Sequence, residues 1–172
     1  MNRTRRLTDP TLRDALAADG AALADIYNHY IDDTVVTFEE TRVDGAEMNR
    51  RVAEVQALNL PWLVAEEEGR VTGYAYATTW RTRVAYRYCT EVTVYLDQHH
   101  FGRGLGTALY RELFDRLESS GMHVLLGCIA LPNAASVALH ERFGMKKVAH
   151  FEEVGFKFGR WIDVGYWQKN LG

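Results

Sequence analysis

Hydrophobic spacing divides the chain into alternating helical and extended runs. Residues 12–16 read as a short first strand. Leu23, Ile26, Tyr27, Tyr30 and Ile31 share one face at helical spacing and predict an amphipathic helix over about 19–32, with Asp19 as its N-cap. Met48, Val52, Val55 and Leu58 do the same over 44–58, and Pro61 stops that helix. The period then changes. Residues 62–67 and 71–80 predict a hairpin around Gly69 and Arg70. Residues 87–96, rich in Tyr, Thr and Val, predict the next strand. Leu105, Ala108, Leu109, Leu113, Phe114 and Leu117 line one face of a helix that ends at Gly121. Residues 123–130 predict a strand buried by its composition, and 134–143 a short helix capped by Asn133 and closed by Gly144. Two last strands, 146–154 and 161–168, flank a 155–160 connection. This order, βααβββαβαββ, predicts an α/β (α+β) fold, a mixed and largely antiparallel sheet flanked by helices.

Composition narrows the class. A chain of 172 residues with 47% hydrophobic content suits one domain over 10–172, with 1–9 expected to be a loose, flexible tail. A formal net charge of −3 argues against nucleic acid or an anionic membrane as partner, since either would call for a basic patch. Cys89 and Cys128 stand apart with no Cys-x-x-Cys spacing, and are expected to be buried thiols in a reducing cytoplasm. No run of 18 apolar residues occurs, and no leader pattern, so a soluble cytoplasmic protein is expected.

The chemistry concentrates after the third predicted β-run. Gly102, Gly104 and Gly106 let the backbone adopt positive φ and approach a ligand, and the first amides of the following helix lack intrahelical acceptors. Such amides bind phosphate groups. The spacing fits neither a dinucleotide fingerprint, because Thr107 or Leu109 stands where the last glycine is required, nor a P-loop, because no Gly-Lys-Ser/Thr follows. Glu91 sits within a strand of Tyr, Cys, Thr and Val, where a carboxylate is costly unless solvated, paired or used. Alternation puts Arg87, Cys89, Glu91 and Thr93 on one face, and Arg87 is about 13 Å from Glu91 along the strand, too far to pair with it. A functional carboxylate is the reading that remains. Glu66, Glu67 and Glu68 read as a solvated turn. The histidines show no metal-ligand spacing, and no Gly-x-Ser-x-Gly elbow or activated cysteine is present, so direct transfer without a covalent enzyme intermediate is preferred and no metal is expected. Arg81 and Arg83, in the aromatic-flanked Trp80 to Tyr86 connection, either orient an anionic substrate or form a solvated loop. His140, taken alone, is a core or surface residue.

Phe101-Gly102-Arg103-Gly104-Leu105-Gly106 resembles the acetyl-CoA loop of the GNAT superfamily of N-acyltransferases, Gln/Arg-x-x-Gly-x-Gly/Ala, with Phe101 in place of the usual polar residue. Thr90 to Tyr95, Leu131 to Val137 and Phe156 to Gln168 are similar to the phosphinothricin and methionine sulfoximine N-acetyltransferases, a likeness running from about Leu12 to the C-terminus. The resemblance implies the GNAT acyl-CoA fold and acetyl-CoA as co-substrate. It places the coenzyme on Val94, Tyr95, Leu96, Gly102, Arg103, Gly104, Leu105, Gly106, Thr107, Asn133 and Ser136. It implies an acceptor pocket of Phe38, Arg81, Arg83, Tyr86, Thr90 and Glu91, with Arg83 the stronger of the two arginines, Glu91 as general base and His140 as acid for the coenzyme thiolate. A homodimer is also expected, with 156–167 contributing, although an ordinary core strand accounts for those residues almost as well. The expected reaction is acetylation of the α-amine of a small amino-acid analogue. The alternatives are acetylation of protein or peptide amines, or a non-catalytic acyl-CoA sensor.

Overall fold

The computed structural model describes residues 10–172; the expected tail over 1–9 lies outside the described residues. Its elements follow the expected order: β1 (Thr11–Asp14), α1 (Gly20–Asp33), α2 (Gly45–Ala57), β2 (Trp62–Glu67), β3 (Arg70–Thr79), β4 (Cys89–Leu96), α3 (Leu105–Ser119), β5 (Val124–Leu131), α4 (Ala134–Arg142), β6 (Lys146–Lys157) and β7 (Arg160–Asn170). The strands form one seven-stranded sheet in the order β1-β2-β3-β4-β5-β7-β6. Every pairing is antiparallel except β4 with β5.

Helices cover both faces. A Cβ on Gly73 would lie 3.4 Å from Leu109 of α3, whereas the neighbouring Tyr74 packs on Tyr95, which in turn meets Tyr27 and Tyr30 of α1. Successive strand residues point to opposite faces, so α1 and α3 sandwich the sheet. The apolar stripe of α3 is driven home: Leu109, Leu113 and Leu117 are 0% exposed, each burial contributing about 1.5–3 kcal/mol.

Four local expectations are corrected. Asp19 stands at the N-cap position of α1 as expected, but its side chain makes no capping bond; Arg13 grips its carboxylate at 2.7 and 2.9 Å and the Leu16 amide adds a third bond, tying β1 to the start of the helix. The β2–β3 turn is Glu68-Gly69, one residue earlier than expected, with both residues at positive φ as a two-residue hairpin requires. Residues 84–86 form a helical turn, so β4 begins at Cys89 and Arg87 is outside the strand. The last two strands are longer, leaving only Phe158-Gly159 between them, again at positive φ. A register shift between Phe151 and Gly155 interrupts the alternation that would have revealed a continuous β6.

Candidate active site

The glycine loop has the shape its sequence demands. Gly102 and Gly104 lie at φ +76° and +81°, and the first helical bond of α3 runs from the Ala108 amide to the Gly104 carbonyl at 3.0 Å. The amides of Leu105, Gly106 and Thr107 therefore have no intrahelical acceptor and form the positive end of a long helix. Gly106 serves a different need. A side chain there would meet Leu139 of α4 at 3.3 Å, so glycine lets α3 and α4 approach. Glu67, expected in a solvated turn, is largely buried beneath this loop, with His100 and Arg103 at 3.7 and 3.6 Å.

β4 and β5 pair only from Cys89↔Val124 to Glu91↔Leu126, although β4 runs on to Leu96 and β5 to Leu131. Beyond Glu91 the sheet is forked. The Tyr30 hydroxyl donates to the Leu96 carbonyl at 2.7 Å and accepts from the Leu96 amide at 3.2 Å, while the Asp97 amide turns back to Thr72 of the β3 side. Peptide groups alternate direction along an antiparallel strand, so the Val94 amide and carbonyl point, like those of Leu96, into the fork. A cleft of about 500 Å³ opens there, lined by Tyr30, Val36, Val94, Leu96, Phe101, Gly102, Asn133, Ser136 and Leu139. Five residues expected at the coenzyme site thus gather in the cleft, Gly102, the strand residues Val94 and Leu96, and Asn133 and Ser136, while Gly104 leads from Gly102 into the start of α3. Asn133 has a second task, its side chain accepting from the Ser136 amide at 3.1 Å to cap α4. Tyr95 turns its ring into the core, 7% exposed, and is not among the residues that line the cleft. The apolar walls, the unpaired edge and the free helix-terminal amides fit an acyl-pantetheine arm ending in a pyrophosphate.

Register places Glu91 on the face shared by Cys89, Leu126 and Tyr166. These three line a second cavity of about 450 Å³ with Trp80, Arg81, Tyr86 and Phe151. Glu91 has no hydrogen-bond or ion-pair partner among the described residues, and burial raises its pKa above the ordinary carboxylate value. Arg81 stacks over Trp80 at 4.6 Å, and Trp80 meets Tyr86 edge-on at 5.1 Å. Arg83 is exposed and faces a neighbouring cleft with Arg87 and Met122. Thr90 is 1% exposed on the opposite face, its hydroxyl donating to the Thr78 carbonyl at 2.6 Å, a bond that holds strands together. Phe38 stands apart from the cavity, its ring over Gly155. The cysteines are not the buried pair expected: Cys128 is exposed and Cys89 half-buried, with burial pushing the Cys89 thiol up, away from a nucleophilic thiolate.

His140, expected as a proton donor, is buried and not among the residues that line the cleft. Its ring is 3% exposed and packs on Gly127, where an added Cβ would sit 2.3 Å from Cδ2. Nδ1 donates to the Ser136 carbonyl at 2.7 Å, which leaves Nε2 to accept from the Tyr110 hydroxyl at 3.1 Å. Burial lowers its pKa, so the ring is neutral with both nitrogens engaged. It locks α3 to α4 instead of facing the cleft. Among the described residues no group of His, Cys, Asp and Glu side chains converges to hold a metal ion. Nor is any helix among the described residues long and apolar enough to cross a membrane.

Sequence reasoning missed Tyr30 and Tyr166. Tyr30 reads only as one more apolar position of α1, and Tyr166 as one more aromatic residue of a terminal strand; nothing local marks either.

Residues 12–165 match the model of the acetyltransferase (GNAT) domain. The phosphinothricin N-acetyltransferase of Streptomyces viridochromogenes is 41% identical over 162 residues, covering 93% of this chain and 87% of that protein. The L-methionine sulfoximine/L-methionine sulfone acetyltransferase of Salmonella typhimurium is 40% identical over 161 residues, 94% of each. A solved GNAT superfamily phosphinothricin acetyltransferase from Sinorhizobium meliloti, in complex with acetyl-CoA, superposes with a TM-score of 0.92 at 38% identity, covering 96% of this chain and 90% of that one.

Proposed function

The chain belongs to the GNAT family of acetyltransferases, and on that premise we propose that it acetylates the α-amine of a small amino-acid analogue of the phosphinothricin or methionine sulfoximine type, with Glu91 as general base. The observation that carries this reading is the unpaired, half-buried Glu91 carboxylate at the last β4–β5 pair before the fork. The coenzyme cleft opens at the fork just beyond Glu91, the Trp80–Tyr166 cavity lies on the face that Glu91 shares, and the fork is where reactants bound in each would meet.

Acetyl-CoA supplies an activated acetyl thioester. The residues of the chain do the rest. The amides of Leu105, Gly106 and Thr107 hold the pyrophosphate, and the free β4 edge aligns the pantetheine arm. The Val94 amide, fixed in the fork, donates to the reacting carbonyl oxygen; a preset donor of this kind contributes about 3 kcal/mol. Arg81 pairs with the carboxylate or phosphinate of the acceptor, for which a guanidinium held flat on Trp80 is preorganised. Glu91 takes the proton of the acceptor ammonium directly or through one water, and its raised pKa makes it a stronger base than an exposed carboxylate. Setting both reactants side by side supplies much of the rate.

A homodimer is part of the proposal. Phe156, Phe158 and Trp161 are 55, 57 and 61% exposed at one end of the β6–β7 hairpin, an apolar patch that a second copy would cover. Trp167, by contrast, is a core residue at 2%. Sedimentation showing monomer alone at assay concentration overturns this part.

The activity is tested by following free thiol when acetyl-CoA is mixed with phosphinothricin, methionine sulfoximine or methionine sulfone. Thiol release that requires the amine is expected. Acetyl-CoA binding without release from any amine indicates a sensor, and release with protein amines alone overturns the substrate assignment.

A further inference from the structure

Lys157, the last residue of β6, is 1% exposed. A buried ammonium ordinarily finds a carboxylate, because desolvation opposes its charge. Here the hydrogen-bond partners among the described residues are backbone carbonyls: Nζ donates to Thr37 at 2.9 Å and more loosely to Tyr30 at 3.4 Å. Burial pulls its pKa down, with Glu40 and Asp32 opposing that from further off. Both carbonyls are far away in the chain and close to the coenzyme cleft. Tyr30 lies in the last turns of α1, where exposed carbonyl ends favour a cation, and its hydroxyl grips both polar groups of Leu96 on the β4 edge.

The stretch running from Tyr30 to Thr37 supplies one wall of the cleft through Thr34 and Val36. Thr37 is held from both sides, its carbonyl by Lys157 and its hydroxyl by Tyr27 at 2.7 Å. Phe38 then seats on Gly155, two residues before Lys157, in a fit so close that a Cβ on Gly155 would come within 2.3 Å of the ring. β6 thus fastens this wall at two points.

We propose that Lys157 is a positioning residue for acetyl transfer, clamping the 34–38 segment as a wall of the coenzyme cleft and steadying the end of α1 that holds the β4 edge. The inference rests on the reading that this cleft receives acetyl-CoA. A methionine would fill the same volume but leave the buried Thr37 carbonyl without its donor, the Tyr30 carbonyl keeping the Thr34 hydroxyl at 2.8 Å, and the segment would leave its seat to recover water.

The test is Lys157→Met in the full chain, with two readouts. Chymotrypsin should cut after Phe38 faster than in the parent protein, in the absence of any coenzyme. The KM for acetyl-CoA should rise about tenfold to a hundredfold, with a smaller change in kcat. Gly155→Ala, which displaces Phe38 while leaving Lys157 in place, should reproduce both effects and decides the matter if Lys157→Met does not fold. Variants that lose thermal stability but keep the parent cleavage rate and KM overturn the proposal, as does faster cleavage with an unchanged KM. Failure of the parent protein to bind acetyl-CoA would sink the coenzyme reading instead, and the coenzyme-free cleavage assay would still report on the clamp.

Discussion

Replacing Gly104 by alanine isolates the part of coenzyme binding that depends on backbone shape. Gly104 sits at φ +81°, and a Cβ built on it meets nothing within 4 Å, so no clash accompanies the substitution. What remains is the strain of holding an L-residue in the left-handed region, about 1–2 kcal/mol. Part of that strain is relieved if the loop relaxes, but relaxation re-aims the amides of Leu105, Gly106 and Thr107. Restoring their aim on binding then withdraws about 1–2 kcal/mol from the affinity for acetyl-CoA, a factor of about 5–30. Gly121, at the other end of α3, supplies the control: its φ is +82° and its surroundings are equally open. Gly121→Ala carries the same strain far from the cleft. Thermal melts should show comparable losses for the two variants, while calorimetric titration with acetyl-CoA should show weakened binding for Gly104→Ala only. Wild-type affinity in a folded Gly104→Ala protein, or an equal loss in Gly121→Ala, would refute the argument that the loop's backbone holds the pyrophosphate.

Glu91→Gln should lower turnover about a hundredfold or more near neutral pH and abolish the acidic limb of the pH–rate profile. Because burial raises the Glu91 pKa on folding, its contribution to stability is present below the unfolded value of about 4.3 and is lost as pH rises through the folded value. The same variant should therefore melt higher than the parent at pH 7 and no higher at pH 4; a lower melting point at neutral pH would show a stabilising partner for the carboxylate. His140→Ala should lose about 2–4 kcal/mol of stability through a cavity and an unpaired Tyr110 hydroxyl, with kcat of the folded enzyme near the parent value. A large fall in kcat at unchanged stability would restore the proton-donor role. Since folding lowers the His140 pKa, its contribution to stability is present above about pH 6.5 and lost on acidification, which denaturant titrations across that range can follow. Arg81→Ala should raise the KM of the amine well above that of Arg83→Ala, with acetyl-CoA affinity held in both; the reverse order would move the anion site to the neighbouring cleft that Arg83 lines.

The features legible in the sequence are those set by neighbours in the chain. Helical and extended runs show through their periods, Asn133 announces a cap, and glycines at 102 and 104 announce positive φ, because each depends on local backbone geometry. Glu91 stood out for the same reason, as one charged residue in an apolar strand. The local readings that failed lie where other contacts overrule local pattern: the β6 bulge hides a continuous strand, and the Asp19 side chain, though at the N-cap position, bonds Arg13 instead of its own helix. Only the tertiary structure decided which strands part. β4 and β5 stop pairing at Glu91↔Leu126, and beyond that point the Tyr30 hydroxyl, 66 residues away, bonds the Leu96 edge that a neighbouring strand would need. It also decided that His140 is neutral, that Arg81 and not Arg83 faces the cavity beside Glu91, and that Lys157 reaches Thr37 across 120 residues. A period tells that a face is buried, but not what it is buried against; protonation state, reach and exposure all depend on that second fact, which is fixed by contacts the chain makes only when folded.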